Sequence, residues 1–193
     1  MSSALYLALL ATALPALARS AQESIDTAQC ECFLSNGTNS AFYSKHAFFD
    51  FRSLGAYAGV PAVVNVSGDA ASAPVTSDYF NSDEWTSFWE IEDWDNNSKG
   101  NNRGASNDAS IYMVNSPSNI FIENLAEDDG GSNSTQLTMR TKRFADFQTA
   151  SEFQTVDSNY QFLSLRMLAR TVGDPGAVTA MFTYRDSSDA AKV

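Results

Sequence analysis

The chain has 193 residues, is 44% hydrophobic, and carries 12 basic against 23 acidic side chains for a formal net charge of -11. That is enough apolar material for one modest domain, and the composition excludes a disordered chain. The acidic balance repels polyanions, which argues against nucleic acid and anionic lipid surfaces as partners and leaves neutral ligands or cationic surfaces open.

Residues 1–21 begin with the apolar run Ala4-Leu5-Tyr6-Leu7-Ala8-Leu9-Leu10-Ala11, followed by Ala16-Leu17-Ala18, which fits a small-residue cleavage site. The run has the pattern of a secretory signal peptide and is too short to span a membrane. The expected product, residues 22–193, is an exported protein, extracellular or wall-associated. Sequons begin at Asn36, Asn65, Asn96 and Asn133, each in a polar stretch expected to face solvent and to be glycosylated.

Cys30 and Cys32 flank Glu31 and are the two cysteines of the chain. Successive side chains diverge in extended backbone, so a bond between them would be strained. The expectation is two free thiols, or partners in sequence outside this chain. His46 is the sole histidine, so no cysteine and histidine metal site is expected, and it reads as a polar residue before Ala47-Phe48-Phe49. No cofactor is expected.

Beyond the leader, Gly, Asn, Ser, Asp and Pro clusters break the chain repeatedly, and the apolar residues between them recur at spacing two more often than at helical spacing. This predicts an all-β fold, a β-sandwich, with strands over 46–51, 86–93, 111–114, 119–123, 136–141, 150–155, 162–170 and 177–184. The strands at 119–123 and 136–141 should pair across the acidic loop 126–135. Loops are expected at 67–77 and 95–108, and the one helix candidate is 145–149. The last two strands, within 160–170 and 177–185, form a pair that needs neighbours.

Alternation on the final strand puts Val178, Ala180, Phe182 and Tyr184 on one face and Ala177, Thr179, Met181, Thr183 and Arg185 on the other. Tyr184 combines a flat ring with a hydroxyl, a pairing that stacks on a sugar's C–H face and hydrogen-bonds its rim. Glu90 and Glu92 also share a strand face, but same-face acids beside a turn read as solvated rather than as an acid and nucleophile. Glu127-Asp128-Asp129 before Gly130-Gly131 reads as a solvated turn, since it lacks the spaced ligands of a calcium loop.

The run Gly176-Ala177-Val178-Thr179-Ala180-Met181-Phe182-Thr183-Tyr184 resembles the strand that precedes the catalytic motif in glycoside hydrolase family 16, the concanavalin A-like jelly-roll glucanases, with secreted fungal members most similar. In that family the residues matching Phe182 and Tyr184 line the cleft. Ala150-Ser151-Glu152-Phe153-Gln154-Thr155 resembles the family's A-E-Y-R-S/T segment, whose Glu and Arg reach the substrate; Glu152 matches, and Gln154 replaces the Arg with a neutral amide. Phe80 to Trp85 and Trp89 to Trp94 resemble its opening aromatic strand region, and 160–170 resembles its Y-G-x-F-x-A-R strand loosely.

The resemblance implies a jelly-roll β-sandwich incomplete at its C-terminal end, and Glu152, Gln154, Phe182 and Tyr184 as substrate-binding residues. It also implies a neutral polysaccharide such as cell-wall β-glucan as partner, and a monomer. Family members carry nucleophile, helper Asp and general acid on one strand as E-x-D-x-E, where one carboxylate attacks the anomeric carbon and the other protonates the leaving oxygen. The sequence reaches Val193 without that motif. The expectation is therefore the N-terminal portion of an exported polysaccharide hydrolase or transglycosylase, inactive by itself, or a lectin-like protein on the same sandwich.

Overall fold

The structure, a computed structural model, describes residues 32–35, 40–96, 111–125, 134–158, 160 and 162–183. The leader 1–21, the sequons at Asn36 and Asn133, the acidic run at Glu127 and the cleft candidate Tyr184 lie outside the described residues. The chain divides into two units, 1–49 and 50–193.

In the first unit, β1 (Phe33–Leu34) and β2 (Phe42–Tyr43) pair antiparallel. Ser35 closes the turn, its N–H donating to Ala41 O at 2.9 Å and its Oγ accepting from Ala41 N at 3.0 Å. The His46 ring lies 5.3 Å from that of Phe33, so this histidine covers an aromatic edge and does not begin a strand. Cys32 is disulfide-bonded, which corrects the expectation of free thiols.

The second unit is rich in strands, with a few short helical turns, so its class is all-β. It begins with a 3-10 turn, Phe51–Ser53, capped by Asp50, whose Oδ1 accepts from Arg52 N at 3.1 Å. The predicted strand at 46–51 is absent, because this cap turns the chain before Phe51 can join a ladder. Two short helices follow, α1 (Ser67–Ala71), inside a predicted loop, and α2 (Asp83–Thr86). Ser82 sets the start of α2: its Oγ accepts from Trp85 N at 3.4 Å, and two acidic residues occupy the first turn, where the helix dipole favours them.

Strands β3 (Trp89–Ile91), β4 (Met113–Asn115), β5 (Ile120–Asn124), β6 (Thr135–Met139), β7 (Lys142–Arg143), β8 (Gln148–Ala150) and β9 (Phe153–Thr155) form three small sheets: β3-β9, β4-β8-β7 and β5-β6. The β5 and β6 pairing is the one expected, antiparallel with Ile120 opposite Met139 and Asn124 opposite Thr135. The β4 and β8 pairing is parallel. The predicted strand at 150–155 is split, since Ser151 and Glu152 separate the end of β8 from β9. No helix forms at 145–149. Phe144 N instead donates to Phe147 O at 2.8 Å, the two rings stack at 4.6 Å, and Ala145 and Asp146 make a two-residue turn between β7 and β8.

The larger core gathers Tyr79, Phe80, Trp85, Ile120 and Ile122, flanked by Trp89, Ile91, Leu137 and Phe153. Its rings meet edge to face, with Phe80 5.0 Å and Phe153 5.2 Å from Trp85, a geometry that the ring quadrupole favours. Loss of the Trp85 ring would cost about 3–5 kcal/mol. A smaller cluster of Ala70, Val114 and Phe147 sits against α1 and β4. Residues 114–122 are buried throughout and link the two clusters as one spine.

The predicted strands at 162–170 and 177–184 are not formed over their described residues. Every residue of 162–183 is exposed. The chain does reverse there: Thr171 Oγ1 donates to Thr179 Oγ1 at 2.9 Å across Gly173 and Gly176, whose φ of 116° and 109° suit residues without a Cβ. The turn formed and the strands did not, because period-two patterning selects a face but ladder bonds need an adjoining strand.

Candidate functional site

The site is built on the β3-β9 ladder. Trp89 faces Thr155, Glu90 faces Gln154 and Ile91 faces Phe153. Glu92 N donates to Glu152 O at 2.9 Å and extends the pairing by one step. Directly opposed residues share a face, and faces alternate along each strand. Trp89, Ile91 and Phe153 pack on the core, so alternation assigns Glu90, Gln154, Glu92 and Glu152 to the other face. The two-residue code of the sequence thus divides one short ladder into an aromatic side and an acidic side.

Glu152 is fixed from a second sheet. Asn115, at the end of β4 and only 1% exposed, donates from Nδ2 to Glu152 Oε2 at 3.0 Å. Asn115 is itself held through its backbone N–H, which donates to Trp94 O at 2.8 Å, and the next residue, Ser116, donates to Ala150 O at 3.0 Å. Glu152 Oε2 therefore has a buried donor, while its half-buried carboxylate keeps acceptor capacity on the face. Gln154 and Glu90 are exposed beside it. Glu92 is 6% exposed, which corrects its reading as a solvated acid: its place in the ladder draws it under the surface. Glu90 stays in solvent.

The polar run Ser116-Pro117-Ser118-Asn119 supports the arrangement from beneath. Ser116 and Ser118 share a hydroxyl bond at 2.8 Å, and Asn119 Nδ2 donates to Ala150 O at 3.2 Å. Arg140 then closes the network. Its Nε donates to Asn119 Oδ1 at 3.2 Å, Nη1 to Pro61 O at 3.1 Å and Nη2 to Ser118 O at 3.1 Å, while the guanidinium lies 5.1 Å from the Phe121 ring centre. Burial lowers the Arg140 pKa from its usual value, with Glu123 acting in the opposite sense.

Comparisons with protein-family models, curated proteins and solved structures find no match. The chemistry of the face must therefore be argued from its own atoms. It offers carboxylate acceptors and one amide with both donor and acceptor, a set that can hydrogen-bond hydroxyl or cationic donors. Among the described residues no group of His, Cys, Asp and Glu gathers as a metal-binding cluster, and no helix is long and apolar enough to cross a membrane.

Of the four substrate-side residues read from the sequence, Glu152 and Gln154 lie on this one face. Phe182 is 64% exposed on the strandless stretch 162–183, and Tyr184 lies outside the described residues. Asn65 is exposed, whereas Asn96 is half-buried, with its Oδ1 accepting from Met113 N at 2.7 Å and its Nδ2 donating to Ile111 O at 2.9 Å. Sequence reasoning missed Asn115 and Arg140. A signal was present in the polar run 115–119, which sits between two apolar strands with no hydrophobic residue of its own except Pro117.

Proposed function

We propose that this chain comes from an exported polysaccharide hydrolase or transglycosylase of glycoside hydrolase family 16 type, on a concanavalin A-like jelly roll, and that its Glu152 and Gln154 face binds a neutral β-glucan. The observation that carries the reading is the bond from buried Asn115 to Glu152. A carboxylate held by a buried amide is pre-set to accept sugar hydroxyls without further ordering cost. Gln154, one step along and exposed, supplies a donor to the same ligand. Phe182 and Tyr184 join the cleft on the strength of the motif they resemble. The net charge of -11 suits a neutral polymer and disfavours nucleic acid or an anionic membrane. In this reading the protein belongs to the extracellular space or cell wall.

A non-catalytic carbohydrate-binding protein is the second reading, favoured by the face itself. Glu152 is engaged by Asn115 and stands beside the exposed amide of Gln154, a pair that suits holding hydroxyls. The test is co-sedimentation of the purified chain with insoluble β-1,3-glucan, with soluble sugars assayed in the supernatant. Binding that is lost in Glu152→Ala and Gln154→Ala supports the glucan face, and sugars released by a chain without the E-x-D-x-E motif would contradict both readings. Equal retention of both variants and wild type would remove the face from the account.

A further inference from the structure

We infer that the second unit carries another sugar-binding groove, lined by Tyr57 and Asp78, separate from the Glu152 face. The groove has a volume of about 390 Å³ and runs between residues 56–59 and 75–78, a size suited to a small ligand. Tyr57 is 41% exposed and Asp78 is exposed. One groove thus presents a flat ring, a phenolic hydroxyl and a carboxylate acceptor. Those groups match a pyranose, whose C–H face stacks on a ring while its rim exchanges hydrogen bonds.

The walls are already set. Tyr57 N donates to Leu54 O at 2.9 Å, and its ring rests 5.7 Å from that of buried Tyr79. On the facing side, Thr76 Oγ1 donates to Ile120 O at 2.6 Å and Ser77 Oγ accepts from Tyr79 N at 3.3 Å. Gly59 N donates to Ile122 O at 2.8 Å. A ligand would therefore meet a formed groove and would not have to order a loop.

Gly59 supplies a clean block. A Cβ added there meets nothing within 4 Å and its φ is not in the left-handed region, so Gly59→Leu fills the groove without straining the backbone. The proposal shares a ligand class with the Glu152 face but none of its residues. The experiment is calorimetric titration with laminarihexaose, a β-1,3-linked glucose hexamer, of the full chain and of a Glu152→Gln, Gln154→Ala double variant. Residual binding in the double variant should weaken about tenfold with Tyr57→Ala and be lost with Gly59→Leu, with a smaller loss for Asp78→Asn. Should the double variant bind as wild type does while Gly59→Leu abolishes binding, the groove stands and the Glu152 face falls. Residual binding indifferent to Gly59→Leu and Asp78→Asn, or no residual binding, overturns the groove and leaves the Glu152 face untouched.

Discussion

Asn115 Nδ2 reaches Glu152 Oε2 at 3.0 Å and joins the end of β4 to the residue that leads into β9. Asn115 belongs to the β4-β8-β7 sheet and Glu152 to the two-residue link between β8 and β9, so this bond ties the link back to the sheet it leaves. Asn115→Asp would place a second carboxylate in hydrogen-bond range of Glu152. Two such acids cannot both ionise cheaply, and the pKa of one is raised in the folded state. A raised acid pKa costs stability above it, and the cost disappears on acidification. The variant should melt below wild type at pH 7 and approach it at pH 5, as measured by thermal denaturation in both buffers. An equal deficit at both pH values would mean that packing, not charge, is the reason for the amide.

Arg140 ties Pro61, Ser118 and Asn119 together across the β5-β6 end. Arg140→Met keeps much of the stem but leaves those acceptors unpaired, and should cost about 1.5–3 kcal/mol by urea denaturation. Arg140→Lys should recover only part of this, since an ammonium cannot serve the same fork of acceptors.

Tyr79 gives the second unit an alkaline limit. Burial first, then the neighbouring Glu84, raises its pKa from 10.0 to about 12. A raised pKa means stability that is complete below pH 10 and is lost as pH rises through about 12. Chemical denaturation of wild type should show that decline between those values, and Tyr79→Phe should flatten it. A slope unchanged in Tyr79→Phe would assign the decline to other groups.

The stretch 162–183 bears Phe162 at 86%, Val178 at 83% and Val172 at 72% exposure. Apolar side chains on unpaired extended backbone invite intermolecular pairing. Sedimentation velocity should show association that grows with concentration, reduced by Phe162→Ser with Val178→Ser. A monomer at all concentrations would contradict this.

The sequence made the β5-β6 hairpin legible because both its cues, alternation and a polar loop, are local. Glu90 and Glu92 sharing a strand face was legible too, whereas the pairing of β3 with β9 was not. What it concealed depends on distant partners. Asn115 and Glu152 are 37 residues apart, and Arg140 reaches Pro61 over a span of 79; no periodicity encodes such contacts. Glu92 read as solvated because it shares a strand face with Glu90 beside a turn, yet it is buried where its backbone pairs with Glu152. The terminal pair failed for a related reason: its alternation is real, but no described strand adjoins it.

The most direct test of the central claim is the affinity of the purified chain for laminarihexaose, compared with that of Glu152→Gln. The substitution preserves shape and removes only the charge of the acceptor, and a hydrogen bond to a charged group is worth about 1.5–3 kcal/mol. Calorimetry should show binding to wild type and an affinity lower by about 10- to 100-fold in Glu152→Gln. The same affinity in both proteins would contradict a sugar-binding role for the Glu152 face.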